Sequence, residues 1–348
     1  MQIAHSKPSL TLKDWEALKE VFKNGMIAEG EIVREFEEAV AKYLEMQGGV
    51  ATSTGTLALF LALKALDVSS GDEVIIPTYV CRSVLDAVNY TGATPVLCDV
   101  GEDWCMNVET VKPFVTNRTK AIIVVHIFGI SADVEALSKL GIPIIEDCAQ
   151  SFGGTLKGKK LGTFGEMCVC SFHATKLFTS GEGGMVLTSN SKLLNKLREL
   201  KYGRNSLYKI RYFFPMTNIQ AILGLRQLNR INEFIAKRRK ISEIYFSSFN
   251  DLPMQLPWNV RTRSIFFRFP IRVKGNFEEI KNNFHKFGIH IRRGVDKLLH
   301  DILGWDARYF PSAVKLFNQT ISIPIYPALK DYEIEHIVTV TRQIFSNF

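Results

Sequence analysis

Short runs that are apolar at every position, set between helical patterns, constrain this chain most. Ala121–Val125 and Ile142–Ile145 are strand-length and do not alternate. A strand buried on one face alternates with period two, whereas one that is apolar throughout is covered on both faces, as in a parallel sheet between helix layers. Strands are expected at Glu73–Pro77, Pro95–Val100, Ala121–Phe128, Pro143–Asp147, Cys168–Phe172 and Met185–Thr188. Between them lie Leu57–Leu66, a helix apolar on nearly every side, and another near Ser83–Tyr90. The pattern predicts an α/β fold with a mostly parallel sheet. Two helices, Leu10–Lys23 and Val33–Leu44, come first. After Lys240 the texture changes to a strand at Ile265–Val273, a helix at Phe277–Phe287, a strand at Thr320–Ile325 and a helix at Asp331–Phe345, a smaller α+β unit. The boundary falls in or after a helix near Phe234–Tyr245. This gives a large domain over 1–238 and a small one over 239–348, with the N-terminal helices able to pack on the small one.

Composition excludes several classes. With 46% hydrophobic and 22% charged residues over 348 positions, the chain is globular rather than disordered. No apolar run is long enough for a bilayer, and Met1–Lys7 lacks the basic-then-apolar order of a secretory signal. Six irregularly spaced cysteines make no disulfide framework. The expectation is a cytoplasmic protein with reduced thiols and no membrane partner. The charge is 43 − 35 = +8, with basic residues in Arg198–Arg211, Lys237–Lys240 and Arg261–Arg272 and at Arg292 and Arg293. No helix-turn-helix, zinc-finger or RNA-binding signature accompanies them, so nucleic acid is not expected as a partner. Most are read as solvated helix faces, leaving a few for an anionic small molecule.

Four places put polar or glycine residues at strand ends, where open α/β sheets bind ligands. Ser53-Thr54-Gly55-Thr56 precedes the buried helix, so its free N–H groups and the helix dipole form an anion site or simply a capped helix start. Glu146-Asp147-Cys148-Ala149-Gln150 ends an apolar strand, where a carboxylate needs a cationic or hydrogen-bonding partner; a structural Asp capping the next turn is the plainer reading. Ser171-Phe172-His173-Ala174-Thr175-Lys176 carries a lysine out of a buried strand, where it is either a nucleophilic amine or an ordinary loop lysine. Gly181-Glu182-Gly183-Gly184 fits neither a phosphate loop nor a dinucleotide fingerprint, and a tight hairpin accounts for it. Together, a phosphate cradle, a carboxylate for a ring nitrogen and a lysine for an imine are the parts that pyridoxal phosphate (PLP) needs. Cys168-Val169-Cys170 with nearby His173 lacks the closing ligand and loop spacing of a zinc site, so no metal is expected. His126, at the end of an apolar strand, is read as a satisfied polar residue near the pocket.

The run from Ile145 to Asn190 closely resembles the PLP-dependent sugar aminotransferases of the DegT/DnrJ/EryC1/StrS family. So do Gly30–Glu37, Thr54–Thr56, Gly71–Pro77, Gly92–Val96, Val125–Gly129 and Met216–Ala221, in the family's order and spacing. The resemblance implies the aspartate aminotransferase-like fold (PLP fold type I), a homodimer with the active site at its interface, and transfer of an amino group from glutamate to a nucleotide-linked keto-deoxysugar. Carried over, Lys176 would hold PLP as a Schiff base and shuttle the proton. Asp147 would pair with the pyridinium nitrogen, and Gln150 would sit near the 3′-oxygen. Gly55, Thr56 and Ser171, with Thr54 beside them, would hold the phosphate, and His173 would lie close to the cofactor. The chain departs from the family in three places. Cys81 stands where an aromatic ring usually stacks on PLP. Phe213 stands where an Asn usually reaches the neighbouring subunit's phosphate. Val295–His300 replaces the usual His-Tyr segment near the sugar. Two alternatives are a PLP-dependent sugar dehydratase, disfavoured because those relatives carry histidine in place of Lys176, and a non-catalytic PLP-binding regulator, disfavoured because no DNA-reading module is attached.

Overall fold

The computed structural model describes residues 1–203 and 210–346; residues 204–209, in the basic stretch Arg198–Arg211, lie outside the described residues. The apolar runs form one seven-stranded sheet in the order β1-β9-β8-β5-β4-β2-β3. Its strands are β1 (Gly48–Thr52), β2 (Glu73–Pro77), β3 (Thr94–Cys98), β4 (Thr119–Val125), β5 (Ile144–Asp147), β8 (Met167–Ser171) and β9 (Gly184–Thr188). A short ribbon of β6 (Thr155–Leu156) and β7 (Lys159–Lys160) interrupts the series. Only β9 runs against its neighbours β1 and β8; the other neighbouring pairs are parallel. Every residue of β1, β2, β5 and β9 is buried, as non-alternating runs require. The helix Gly55–Ala65 is buried continuously from Ala58 to Leu63 because it is apolar nearly all round. This is the expected α/β fold with a mostly parallel sheet.

A second sheet of β10 (Phe269–Arg272), β12 (Thr320–Ile323) and β11 (Arg292–Arg293), in that order, lies in the C-terminal part and is antiparallel. Its core gathers Tyr245, Phe249, Phe284, Ile323, Ile337 and Phe345, and also Ile3 from the N-terminus. Ile3 is tied there by its N–H to the Gly288 carbonyl at 2.8 Å. The helix Leu12–Asn24 instead packs on Asn218–Leu228, so the N-terminal residues that join the second core precede the first helix.

Pro95–Val100 and Thr320–Ile325 each end two residues early, at Cys98 and Ile323, and two other strand expectations overrun further. Ala121–Phe128 ends at Val125, and Ile265–Val273 contracts to Phe269–Arg272. The cause is local: Phe128 and Phe266 have φ of 57° and 52°, which break an extended run. The two kinks meet, with Ile265 N–H donating to the Gly129 carbonyl at 3.0 Å and Arg268 N–H to that of Phe128 at 3.4 Å. This seam sets Phe267 and Arg268 against the C-terminal ends of the parallel strands. Among the described residues no helix is long and apolar enough to cross a membrane.

Candidate active site

Sheet register brings the separate motifs to one end. Ser171 on β8 lies opposite Gly184 on β9, which lies opposite Thr52 on β1; Asp147 on β5 lies opposite Val169 on β8. The residues following these ends, Thr54–Thr56, Gln150 and Lys176, therefore leave the sheet at the same edge. The Gly181–Gly184 stretch is no tight hairpin turn: twelve residues, 172–183, separate β8 from β9. Phe172 and Phe178 are buried on either side of Lys176, their rings 5.0 Å apart. Thr179 Oγ1 donates to the Phe172 carbonyl at 2.9 Å, and Lys176 N–H to that of His173 at 2.9 Å. Lys176 thus stands on an anchored loop. Its Nζ lies 5.6 Å from the centre of the Phe267 ring and has no carboxylate partner among the described residues.

The two neighbouring carboxylates at the end of β5 differ sharply. Glu146 is fully buried and takes four donors. Gly162 N–H (2.9 Å) and His126 Nε2 (3.0 Å) reach one oxygen, and Phe164 N–H (2.6 Å) and Gly165 N–H (2.7 Å) reach the other. Burial opposes its ionisation, but the hydrogen bonds from His126 and the backbone N–H groups hold its carboxyl below the usual range. His126 Nδ1 accepts from Ala132 N–H at 3.1 Å, which leaves the ring proton on Nε2 for Glu146. Glu146 and His126 therefore form a saturated structural pair. Cys148 Sγ lies close to their ligand-type atoms, but those atoms are already engaged. Asp147 is 5% exposed, and only one of its oxygens is used, by Ala149 N–H at 2.9 Å, the turn-capping contact foreseen as the plainer reading. Its second oxygen has no partner among the described residues. Burial pushes its carboxyl up, against the pull of Ala149 N–H and the nearby Lys176 and His126. A cationic ring nitrogen is the kind of partner that oxygen lacks.

The candidate phosphate cradle at Thr54–Thr56 has donors to offer an anion. Thr54 Oγ1 accepts from Leu57 N–H at 3.2 Å, leaving the N–H groups of Gly55 and Thr56 open at the start of the helix. A Cβ on Gly55 would sit 2.8 Å from Ser171 Cβ, and one on Gly184 would meet the Thr54 carbonyl. The glycines therefore allow an approach that any side chain would fill. Gln150 Oε1 accepts from Phe128 N–H at 2.9 Å, which orients its NH₂ as a free donor.

Other residues stand apart from this cluster. The half-exposed His173 turns its Nδ1 to Thr175, accepting its N–H at 3.2 Å, and its Nε2 to Glu182 at 3.5 Å; among the described contacts none joins its ring to Asp147 or to the Lys176 amine. It is also remote in bonding from the buried thiols Cys168 and Cys170, whose sulfurs are 3.8 Å apart. Cys81 is exposed at the N-cap of the helix Arg82–Thr91. Tyr79 offers no replacement ring there, because it is buried edge-on against Phe128 with centroids 6.3 Å apart. Phe213 is half-exposed under the Arg211 guanidinium, 4.8 Å from its ring centre. Sequence reasoning did not single out Phe267, Arg238 or Arg268 for chemistry. The available signal was an arginine embedded in the aromatic run Phe266-Phe267-Arg268-Phe269.

Comparison with known proteins shows the family. The sequence profile of the DegT/DnrJ/EryC1/StrS aminotransferase family matches residues 8–342. The chain is 33% identical to GDP-perosamine synthase of Escherichia coli O157:H7 over 360 aligned positions, covering 98% of both proteins. It is 32% identical to the UDP-N-acetyl-3-dehydro-alpha-D-glucosamine 3-aminotransferase of Acidithiobacillus ferrooxidans, covering 89% of this chain and 88% of that one. Among solved structures it is similar to Helicobacter pylori PseC, an aminotransferase involved in the biosynthesis of pseudoaminic acid, with TM-score 0.91, 25% identity and full coverage of both chains (100% each). A Streptococcus pneumoniae structure named as a sugar aminotransferase in its PLP form gives TM-score 0.91 at 26% identity, covering 99% of this chain and 100% of that one.

Proposed function

Since the chain belongs to the DegT/DnrJ/EryC1/StrS aminotransferase family, we propose that it moves an amino group from glutamate to a keto-deoxysugar carried on a nucleoside diphosphate, with PLP held by Lys176. The single observation that carries this reading is the Lys176 amine, free of any carboxylate among the described residues, on an anchored loop close enough to Asp147 to influence its carboxyl. The relatives named for GDP- and UDP-sugars support a nucleotide-linked substrate.

Bound here, PLP supplies an electron sink for the charge that develops when a proton leaves the amine-bearing carbon. The chain's own residues do the rest. Asp147 would hold the proton on the ring nitrogen, a charge-assisted bond worth roughly 1.5–3 kcal/mol. The Gly55 and Thr56 N–H groups and the Ser171 hydroxyl would bind the phosphate, and the Gln150 NH₂, its oxygen held by Phe128 N–H, would orient the ring oxygen. The Lys176 Nζ would act as the general acid/base, accepting the proton from the donor's α-carbon and giving it back. The buried walls around Asp147 exclude water from that transfer. The same residues would serve the sugar carbonyl in the second half-reaction.

The active protein is proposed to be a homodimer. Leu12, Trp15, Phe22 and Met26 form an exposed apolar stripe along and just past the first helix, with Phe213 exposed as well, and such a stripe calls for a partner. A screen of the purified protein with PLP, glutamate and nucleotide-linked 3-keto and 4-keto sugars tests the function. An aminated nucleotide sugar by mass, with equimolar 2-oxoglutarate, is expected. Dehydrated sugar without glutamate consumption would contradict the proposal.

A further inference from the structure

Phe128 holds a backbone that its side chain disfavours. It follows β4 and His126 at φ 57° and ψ 10°, a left-handed conformation uncommon for a bulky residue. Such a conformation persists only where its surroundings over-determine it, and it clusters at functional sites. The ring is fully buried, edge-on to Tyr79 with centroids 6.3 Å apart and to Trp104 at 5.8 Å. A Cβ on Gly294 would come within 2.9 Å of Phe128 Cζ. Trp104 is itself left-handed, at φ 66°, and its Nε1–H donates to Thr320 Oγ1 of the second sheet at 2.9 Å. On the main-chain side, the Phe128 carbonyl accepts Arg268 N–H at 3.4 Å, and the Gly129 carbonyl accepts that of Ile265 at 3.0 Å. Gly129, at φ 84°, has no room for a side chain: a Cβ would lie 2.9 Å from Phe267 N and 3.2 Å from the Gln150 carbonyl.

The turn has one consequence for the candidate site. It ends the extended run of β4 and directs the Phe128 N–H to Gln150 Oε1 at 2.9 Å. A donor at that atom fixes which end of the amide is the oxygen, so the Gln150 NH₂ faces the other way. That NH₂ meets no acceptor among the described residues. Gln150 leaves the sheet just after Asp147, at the end where Lys176 stands. An amide N–H facing a ring oxygen favours the ionised form of that oxygen. The next step rests on the proposed function, which has PLP held by Lys176. We propose that Phe128 is a positioning residue for that reaction: its left-handed backbone, caged by Tyr79, Trp104 and Gly294, keeps the Gln150 NH₂ as a donor to the cofactor's ring oxygen.

The visible band of the PLP-loaded protein, titrated with pH, reads that donor without any turnover. Losing the donor destabilises the ionised oxygen, so Gln150→Leu should raise the band's pH midpoint by roughly one pH unit, as for a hydrogen bond to a charged group. Phe128→Val, whose branched side chain cannot hold a φ of 57°, should raise it as far. Phe128→Asn, of similar size and tolerant of that backbone, should keep the parental midpoint, although burying its amide lowers the melting temperature at least as much. Phe128→Val combined with Gln150→Leu should move the midpoint no further than Gln150→Leu alone. A parental midpoint in Phe128→Val, or shifts that track melting temperature in both Phe128 variants, would mean that Phe128 only packs, and would overturn the inference. So would a parental midpoint in Gln150→Leu, or additive shifts in the double variant. Should Phe128→Asn fail to fold, Phe128→Gly, which adopts the same backbone without steric cost, carries the same expectation. A parent with its visible band on Lys176 and unmoved midpoints in these variants sinks only this inference. A parent that forms no such band sinks the proposed function as well.

Discussion

At the residue scale, Glu146 and Asp147 show how two adjacent carboxylates acquire opposite roles. Glu146 has four donors, His126 among them, so nothing remains for a ligand, whereas Asp147 has one donor and a second oxygen with no partner among the described residues. The sequence made the strand end and its carboxylates legible; the donors were not, because Gly162–Gly165 and Ala132 arrive from elsewhere in the chain. The same holds for the rings around Phe128, which arrive from the segment after β2 and the loop after β3. The second oxygen of Asp147 carries a prediction with a sign. In the cofactor-free protein burial raises the Asp147 carboxyl, so its contribution to stability is full below the ordinary carboxyl range and falls as pH rises through the raised value. At neutral pH, Asp147→Asn should therefore leave the melting temperature of cofactor-free protein equal to or above the parent's. The PLP-loaded variant should lose affinity and, more steeply, turnover. Paired thermal melts with and without PLP, alongside turnover, check it; a lower cofactor-free melting temperature with normal turnover would show Asp147 to be purely structural.

At the scale of elements, the uniformly apolar strands were readable because covering both faces leaves no polar alternation. Glu73–Pro77 and Asp331–Phe345 stand where the pattern puts them. The over-long Ile265–Val273 was not readable, because no residue type announces φ > 0 at a phenylalanine. The pair Arg292–Arg293 is too short to leave a period. One contact between elements was also hidden: Glu37, on the helix Glu31–Leu44, accepts Ala51 N–H of the edge strand β1 at 2.7 Å. Burial raises its carboxyl to about 7, against Ala51 N–H and Lys201. The protonated folded form is thus favoured below the ordinary carboxyl range, and that stability is lost as pH rises through about 7. Glu37→Gln keeps an acceptor for Ala51 and removes the titration. Denaturant unfolding should show the parent losing up to about 3 kcal/mol relative to this variant between pH 5 and 8. Parallel pH profiles for the two proteins would contradict the assignment.

At the scale of the molecule, the exposed stripe of Leu12, Trp15, Phe22 and Met26 is the largest apolar debt on the first helix, and a dimer would cover it. Sedimentation of the PLP-loaded protein at micromolar concentration should give a dimer. Trp15→Glu with Phe22→Glu should shift it toward monomer and reduce turnover; a fully active monomeric parent would refute the assembly. The central claim, that Lys176 holds the cofactor and yields it to an amino donor, has a direct test in borohydride reduction of the PLP-loaded protein followed by peptide mass mapping. The cofactor's mass should be fixed on Lys176, and prior saturation with glutamate should abolish that label. A label on another lysine, or one on Lys176 that glutamate leaves untouched, would contradict the account.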